Sequence, residues 1–177
     1  TTAGNLTDTG SLRVSGDATL DSGSSSITLD TAGNDFVGVV NVNSTAGDVT
    51  IHDANDLIVG VAAVAGDLIL RIDRGANNTS TLDLSGSTLT IGGAGTDFRG
   101  AGVDDTLLAP NSVNTWDFIG ADRGVFSLYG TTGTFTDFHN LTGGTSTDVI
   151  SISTGSVTGI LDGGGGIDTL SYAGNTA

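Results

Sequence analysis

The sequence has no Cys, no Met, no Lys, no Glu and no Gln, and a single Pro among 177 residues. Each absence excludes something. Without Cys there is neither a disulfide framework nor a thiolate metal site, although export is still open to a chain of this kind. Without Lys there is no Schiff-base chemistry, and without Cys one class of nucleophile is gone. Strong helix formers are scarce, so extensive helix is not expected. The longest apolar run, Leu57 to Ala65, is far short of the roughly 18–20 residues that a membrane helix needs. No signal-like segment opens the chain and residue 1 is Thr, so the expectation is a piece of a longer protein.

What remains is Thr, Ser, Val, Ile, Leu, Asn, Asp and 29 Gly. β-branched residues suit strands, while Gly, Asn and Asp suit turns, which predicts an all-β fold. All 20 acids are Asp and all five basic residues are Arg, for a net charge of −15. That balance argues against nucleic acid and anionic membrane as partners and favours cations, solubility and self-repulsion.

Short apolar alternations recur between turn clusters: Leu12-Val14, Ile27-Leu29, Val40-Val42, Val49-Ile51, Leu57-Val59, Leu68-Leu70-Ile72, Leu82-Leu84 and Leu89-Ile91. Each is a period-two pattern too brief for a helix. The spacings Leu29–Ile51, Ile51–Leu70, Leu70–Ile91, Phe118–Phe138 and Ile150–Leu170 all lie between 19 and 22 residues. A fixed period in this range indicates a solenoid. The expected fold is a parallel β-helix of about 20 residues per coil and roughly nine coils. Leu, Ile and Val would point inward, with Phe36, Trp116, Phe118, Phe126, Phe135 and Phe138 filling wider places.

One rod over residues 1–177 is expected, with regular coils in 1–91, irregular aromatic-containing coils in 92–139 and Gly/Asp-rich coils in 140–177. Asn34-Asp35, Asn55-Asp56 and Asn77-Asn78 recur at 21 and 22 residues. They form either a stacked Asn ladder inside a bend or ordinary turn residues.

Gly163 to Ser171 fits the nonapeptide G-G-x-G-x-D-x-U-x at every defined position, with Gly163, Gly164, Gly166, Asp168 and Leu170. Glycines permit the positive φ that turns carbonyls toward one point, and Asp168 adds a hard carboxylate oxygen. Calcium wants six to eight oxygens, so two loops on adjacent coils would have to share the ion. One coil upstream, Gly143, Gly144 and Asp148 repeat the pattern with Ser146 in place of the third Gly. Gly143, Gly144, Asp148, Gly163, Gly164, Gly166 and Asp168 are therefore the candidate Ca2+ residues. The competing reading is Gly-rich corners with a solvated Asp. Weaker copies lie at Gly92 to Arg99, where Arg99 takes the apolar anchor position, and at Asp104-Asp105.

Thr31 to Gly38, Val40-Asn41-Val42, Gly47 to Leu57, Ala65 to Leu70, Asn114 to Asp122, Asn140 to Gly144 and Leu161 to Tyr172 resemble repeats of filamentous-haemagglutinin-type bacterial adhesins. The likeness spans most of the chain on low-complexity motifs, and the last stretch is also similar to RTX-like loops. It implies a right-handed parallel β-helix, export to the cell surface or medium, and a role in adhesion or as a stalk. Partners expected are a host or neighbouring cell surface and its glycans or matrix; ends without a polar cap would also let further copies stack along the rod axis into a fibre.

An enzyme is not expected. Polysaccharide-active β-helices are the alternative, with Asp53/Asp56 or Asp104/Asp105 as acid–base pairs. Solvated corner residues explain those pairs more simply. His52 and His139 are too far apart in register for a shared site, and Tyr129, Tyr172 and Trp116 suit packing better than sugar stacking.

Overall fold

The computed structural model describes residues 4–75 and 78–172. They form twenty strands and no helix. The first half carries β1 (Leu6–Thr7), β2 (Arg13–Val14), β3 (Ala18–Asp21), β4 (Ile27–Leu29), β5 (Asp35–Phe36), β6 (Val39–Ser44), β7 (Val49–Asp53), β8 (Leu57–Val64) and β9 (Leu68–Ile72). Then come β10 (Thr81–Asp83), β11 (Thr88–Ile91), β12 (Thr96–Arg99) and β13 (Thr106–Leu108). The rest are β14 (Asn114–Gly120), β15 (Arg123–Leu128), β16 (Thr131–Thr136), β17 (Asn140–Thr142), β18 (Val149–Ile152), β19 (Leu161–Asp162) and β20 (Thr169–Ser171).

The chain passes alternately through two sheets. A ten-stranded sheet runs β1-β4-β7-β9-β12-β16-β15-β14-β18-β20 and an eight-stranded sheet contains β3, β6, β8, β10, β11, β13, β17 and β19. β2 and β5 pair in a small third sheet. Pairing between successive passes is parallel, with Leu29 opposite Ile51, Ile51 opposite Leu70 and Ile150 opposite Leu170. These are the intervals anticipated from the sequence. The result is a solenoid-like, mostly parallel all-β arrangement, in which each pass buries its apolar residues only by stacking on its neighbours.

The alternation sets the core. Burial in β7 and β9 follows in–out–in–out–in, so Val49, Ile51, Leu68, Leu70 and Ile72 are inside while Thr50, His52, Ile69 and Arg71 face out. Phe36, Trp116, Phe118, Phe126, Phe135 and Phe138 are all buried, as their apolar surface requires. Leu12 departs from the expected pattern at 37% exposed, because it belongs to the first described coil and no earlier one covers it. Ile91 is only half-buried.

Two of the spacings read from the sequence are not coil repeats. Leu70 lies opposite Phe98, and Ile91 lies opposite Val64 in the other sheet. The long β8 accommodates both β10 and β11 on one rung, which lengthens that pass. Phe118 lies opposite Gly124, and Phe138 follows β16 outside any strand. The ten-stranded sheet is crossed in eight passes (β1, β4, β7, β9, β12, β14–β16, β18, β20) rather than nine, since the middle consumes more chain.

The irregular middle is an antiparallel meander. β14, β15 and β16 pair antiparallel with one another, while β16 and β14 join the parallel stack through β12 and β18. Tyr129 and Gly130, with φ of 51° and 82°, make the two-residue turn between β15 and β16. Positive φ at both central positions is the hairpin geometry that matches strand twist. From β9 to β18 the large sheet takes five steps, whereas the second sheet takes three from β10 to β19. The large sheet is therefore two rungs, roughly 10 Å, longer here.

Aromatic rings fill the space that this creates. Phe98 stacks on Phe126 at 4.7 Å, Trp116 lies 5.8 Å from Phe126 and 5.7 Å from Phe135, and Phe118 meets Phe135 edge-on at 5.0 Å. Glycines provide the room: Gly133 lies opposite Phe126, and Gly124 opposite both Phe118 and Phe135.

Candidate functional site

The two Gly/Asp loops do come together. The amide of Gly143 donates to the carbonyl of Asp162 (2.7 Å) and that of Gly165 to Gly144 (2.9 Å), so loop 163–168 sits directly on loop 143–148. Gly164 and Gly166 have φ of +82° and +113°, the region that favours glycine. Gly143 and Gly144 do not share that conformation, consistent with Ser146 replacing the third Gly of the pattern.

The carboxylates face backbone donors. Asp148 is fully buried; its Oδ1 accepts from the amide N–H and side-chain Nδ2 of Asn114, each 2.8 Å, and its Oδ2 accepts from the amide of Gly144 at 2.8 Å. Asp168 is half-buried, and its Oδ1 accepts from the amide of Asp148 at 2.9 Å. Among the described residues no amide donates to Oδ2 of Asp168. Calcium needs six to eight oxygens, and among the described residues no three His or Asp side chains converge on one point. As arranged, these side chains serve the backbone amides.

The weaker copies behave alike. Asp105 is fully buried and accepts from the amides of Ser80 (2.7 Å), Ala101 and Gly102 (2.8 Å each). Asp97 accepts from the hydroxyl of Thr134 at 2.7 Å and pairs with Arg99. The buried apolar residue of that copy is Phe98, one position before Arg99, so the apolar anchor is displaced rather than lost.

A general rule joins these sites. Ten Asp and four Asn side chains each accept a backbone amide from a neighbouring coil, among them Asp17 from Val39 (3.0 Å), Asn41 from Val61 (2.8 Å) and Asp56 from Thr81 (2.8 Å). At a corner the strand ladder breaks and leaves amides without carbonyls, and a short side chain on the adjacent coil fills the gap. Glu and Gln, one methylene longer, would overshoot and lose more rotamer freedom. Half of the 20 aspartates thus help to hold one pass on the next.

The Asn recurrence resolves the same way. Asn34 is buried, donates to Asp8 (2.6 Å) and accepts from the amide of Leu12 (2.8 Å), while Asn55 donates to Asp35 (3.1 Å). Their links run to Asp and backbone rather than from Asn to Asn. Asn77 lies outside the described residues; Asn78 donates to the carbonyl of Arg74 at 3.1 Å.

Asp53 stands apart energetically. Burial raises its carboxyl to about 6, against the lowering effect of amide donors from Phe36 (2.8 Å) and Asn55 (2.9 Å). For Asp8, burial pushes upward, but donors on Asn34 and Thr31 outweigh it and hold the carboxyl below its ordinary value. Asp53 has no exposed surface, so it does not face solvent beside Asp56 as an acid–base pair would. Trp116 is buried and packs in the core, and the hydroxyl of Tyr129 donates to the carbonyl of Ser87 at 2.7 Å. His52 is on β7, whereas His139, after β16, lies 3.9 Å from Asp122.

Sequence reasoning missed Asn114, Asp122 and Phe98. Asn114 binds Asp148, and Asp122 accepts both the amide (2.8 Å) and the hydroxyl (2.7 Å) of Thr158. Their partners are 34 and 36 residues away, beyond the 20-residue period, so no spacing announced them.

Comparison with known proteins adds one match. Residues 1–43 match a family described as repeats of unknown function (DUF5649). The chain is a repeat protein. No curated protein and no solved structure matches it. Among the described residues no helix is long and apolar enough to cross a membrane.

Proposed function

We propose that the chain is a structural and adhesive module of an exported bacterial surface protein: a right-handed parallel β-helical stalk of the filamentous-haemagglutinin type that performs no catalysis. The observation carrying this reading is the stack of passes through two mostly parallel sheets. Such an object is stabilised along one axis and gains length with each repeat, which suits a spacer that projects contacts from a surface. Ten rungs at about 4.8 Å give a rod of roughly 43 Å. The corner Asp and Asn residues support it too, since they are committed to holding coils together rather than to converging on a substrate.

Small-angle scattering and negative-stain images of the isolated chain test the shape; a globular particle would refute it. Incubation with acidic polysaccharides tests the rest, and any turnover would favour the β-helix enzyme reading. Display of the chain on a non-adherent bacterium, with cell binding scored against an unrelated rod of equal length, tests the adhesive part.

A specific observation favours axial self-association as a second reading. Ile160, Ile167, Leu170 and Tyr172, at the end of the described stack, are 68%, 82%, 53% and 67% exposed, and among the described residues β20 is paired on one side only. An apolar rung with a free strand edge suits another rung, from further chain or from a second copy. Sedimentation at increasing concentration, with Ile167→Asp beside the parent, reads it out.

A further inference from the structure

The outward face of the ten-stranded sheet carries an arrangement that the fold does not require. His52 lies opposite Arg71, Arg71 opposite Arg99, Arg99 opposite Thr136 and Thr136 opposite Arg123, forming one column along the stack. Three of the five arginines of the chain thus share one line. Arg71 and Arg99 are one rung apart and Arg123 is two rungs further, or roughly 5 and 10 Å. Like charges directly opposite across strands destabilise a sheet. With 20 Asp available, simple stability would have placed acid beside Arg71.

The partners of these cations point the same way. Arg13 pairs with Asp35 and Arg74 with Asp56, and Asp97 holds Arg99. Among the described residues, Arg71 and Arg123 are in no ion pair. Nε of Arg71 and Nε2 of His52 are both buried without a hydrogen-bond partner, on adjacent rungs of the column. Unmet polar groups at such positions cost stability, so the fold itself gains nothing from the column.

Beside the column is a groove of about 500 Å³, lined by Asp97, Arg99, Arg123, Thr134, Thr136 and Asp137. A second hollow of about 620 Å³ shares Thr134 and continues over Thr115, Ser127 and Ser151 of the same face. Guanidinium forks flanked by acids and hydroxyls are the two halves of acidic-sugar recognition. Arginine binds a carboxylate through two parallel hydrogen bonds, while Asp and Thr meet the ring hydroxyls. The net charge of −15 opposes a densely charged polymer at long range. Screening over about 8 Å leaves a single acidic sugar to be read by its local contacts.

We propose that the Arg71–Arg99–Arg123 column and the groove beside it bind a carboxylated glycan lying along the stack, its carboxylates on Arg71 and Arg123 and its hydroxyls on Asp137, Thr134 and Thr136. The inference rests on the adhesive reading only in taking the ligand to be a glycan.

Calorimetric titration of the full chain with a short oligogalacturonide tests it, with the fully methyl-esterified form and a sulphated oligosaccharide as further arms. Saturable binding to the acid and none to the ester is expected. Arg71→Ala and Arg123→Ala should each weaken binding at least about tenfold, while Arg13→Ala, which removes the same charge elsewhere, should leave it unchanged. Absence of binding by the parent, equal binding of the ester, preference for the sulphated chain, or equal loss in Arg13→Ala would each overturn the proposal. Circular dichroism accompanies every variant; should Arg71→Ala fail to fold, exposed Arg123→Ala decides alone. Scattering on the same samples separates the two readings, since an elongated particle that does not bind refutes only the glycan site, and a globular one that binds refutes only the rod.

Discussion

Asp148→Ala is the substitution on which the corner rule stands or falls. The side chain is fully buried and accepts three hydrogen bonds, from the amide and Nδ2 of Asn114 and from the amide of Gly144, all at 2.8 Å. Nδ2 of Asn114 has other acceptors in the carbonyls of Pro110 (3.0 Å) and Ser112 (2.7 Å), so removing Asp148 orphans chiefly the two amides. Each orphaned donor costs about 1–3 kcal/mol, which predicts a loss of roughly 2–6 kcal/mol, reduced if water enters. Asp168→Ala removes one hydrogen bond at a half-buried position and should cost about 0.5–1.5 kcal/mol. Urea unfolding followed by circular dichroism, in chelator and then in excess calcium, measures both. If the carboxylates serve the backbone, the large asymmetry appears in chelator. If calcium between the loops dominates, the two variants lose similar amounts and only when calcium is present. A loss below about 0.5 kcal/mol for Asp148→Ala in chelator would refute the reasoning.

Three further outcomes follow from the geometry. Asp53, raised to about 6 from an ordinary 3.8, binds its proton more readily folded than unfolded, so its contribution is full below pH 3.8 and lost as pH rises through 6. The stability of the parent relative to Asp53→Asn should therefore improve by about 1–3 kcal/mol from pH 7 to pH 4, measured by urea unfolding at each pH; a flat difference would contradict it. Phe126→Ala should cost about 3–5 kcal/mol, because the ring lies between Phe98 and Trp116, and thermal unfolding reads this directly. Gly133→Ala should cost about 1–3 kcal/mol, because a methyl group there meets the ring of Phe126 and lies 2.6 Å from the carbonyl oxygen of Thr96; a variant as stable as the parent would show that the rungs can separate.

How much was legible depended on whether the signal was local. Composition alone decided an all-β fold, since β-branched and turn residues leave little else to build. The 19–22-residue recurrence placed Leu29, Ile51 and Leu70 in register, because parallel coils of equal length preserve spacing. Strand direction has no such signature. The side chains of β14, β15 and β16 alternate with period two whether their neighbours run parallel or antiparallel, so Phe118 and Phe138 looked like successive coils. The stacked loops at 143–148 and 163–168 were visible as a motif, but where their carboxylates point was not, because the donor on Asn114 arrives from 34 residues away. The arginine column was hidden for the same reason, its members separated by unequal intervals that only the pairing brings into line.

What the sequence determined by itself was the material: a chain with Asp and no Glu, Asn and no Gln, fit for strands joined by tight corners. Tertiary structure alone decided the use of that material. Ladders break at corners, the neighbouring coil lies about 4.8 Å away, and a side chain of Asp length spans the gap to an unpaired amide. The missing Glu and Gln are thereby explained by a distance that exists only once the coils are stacked.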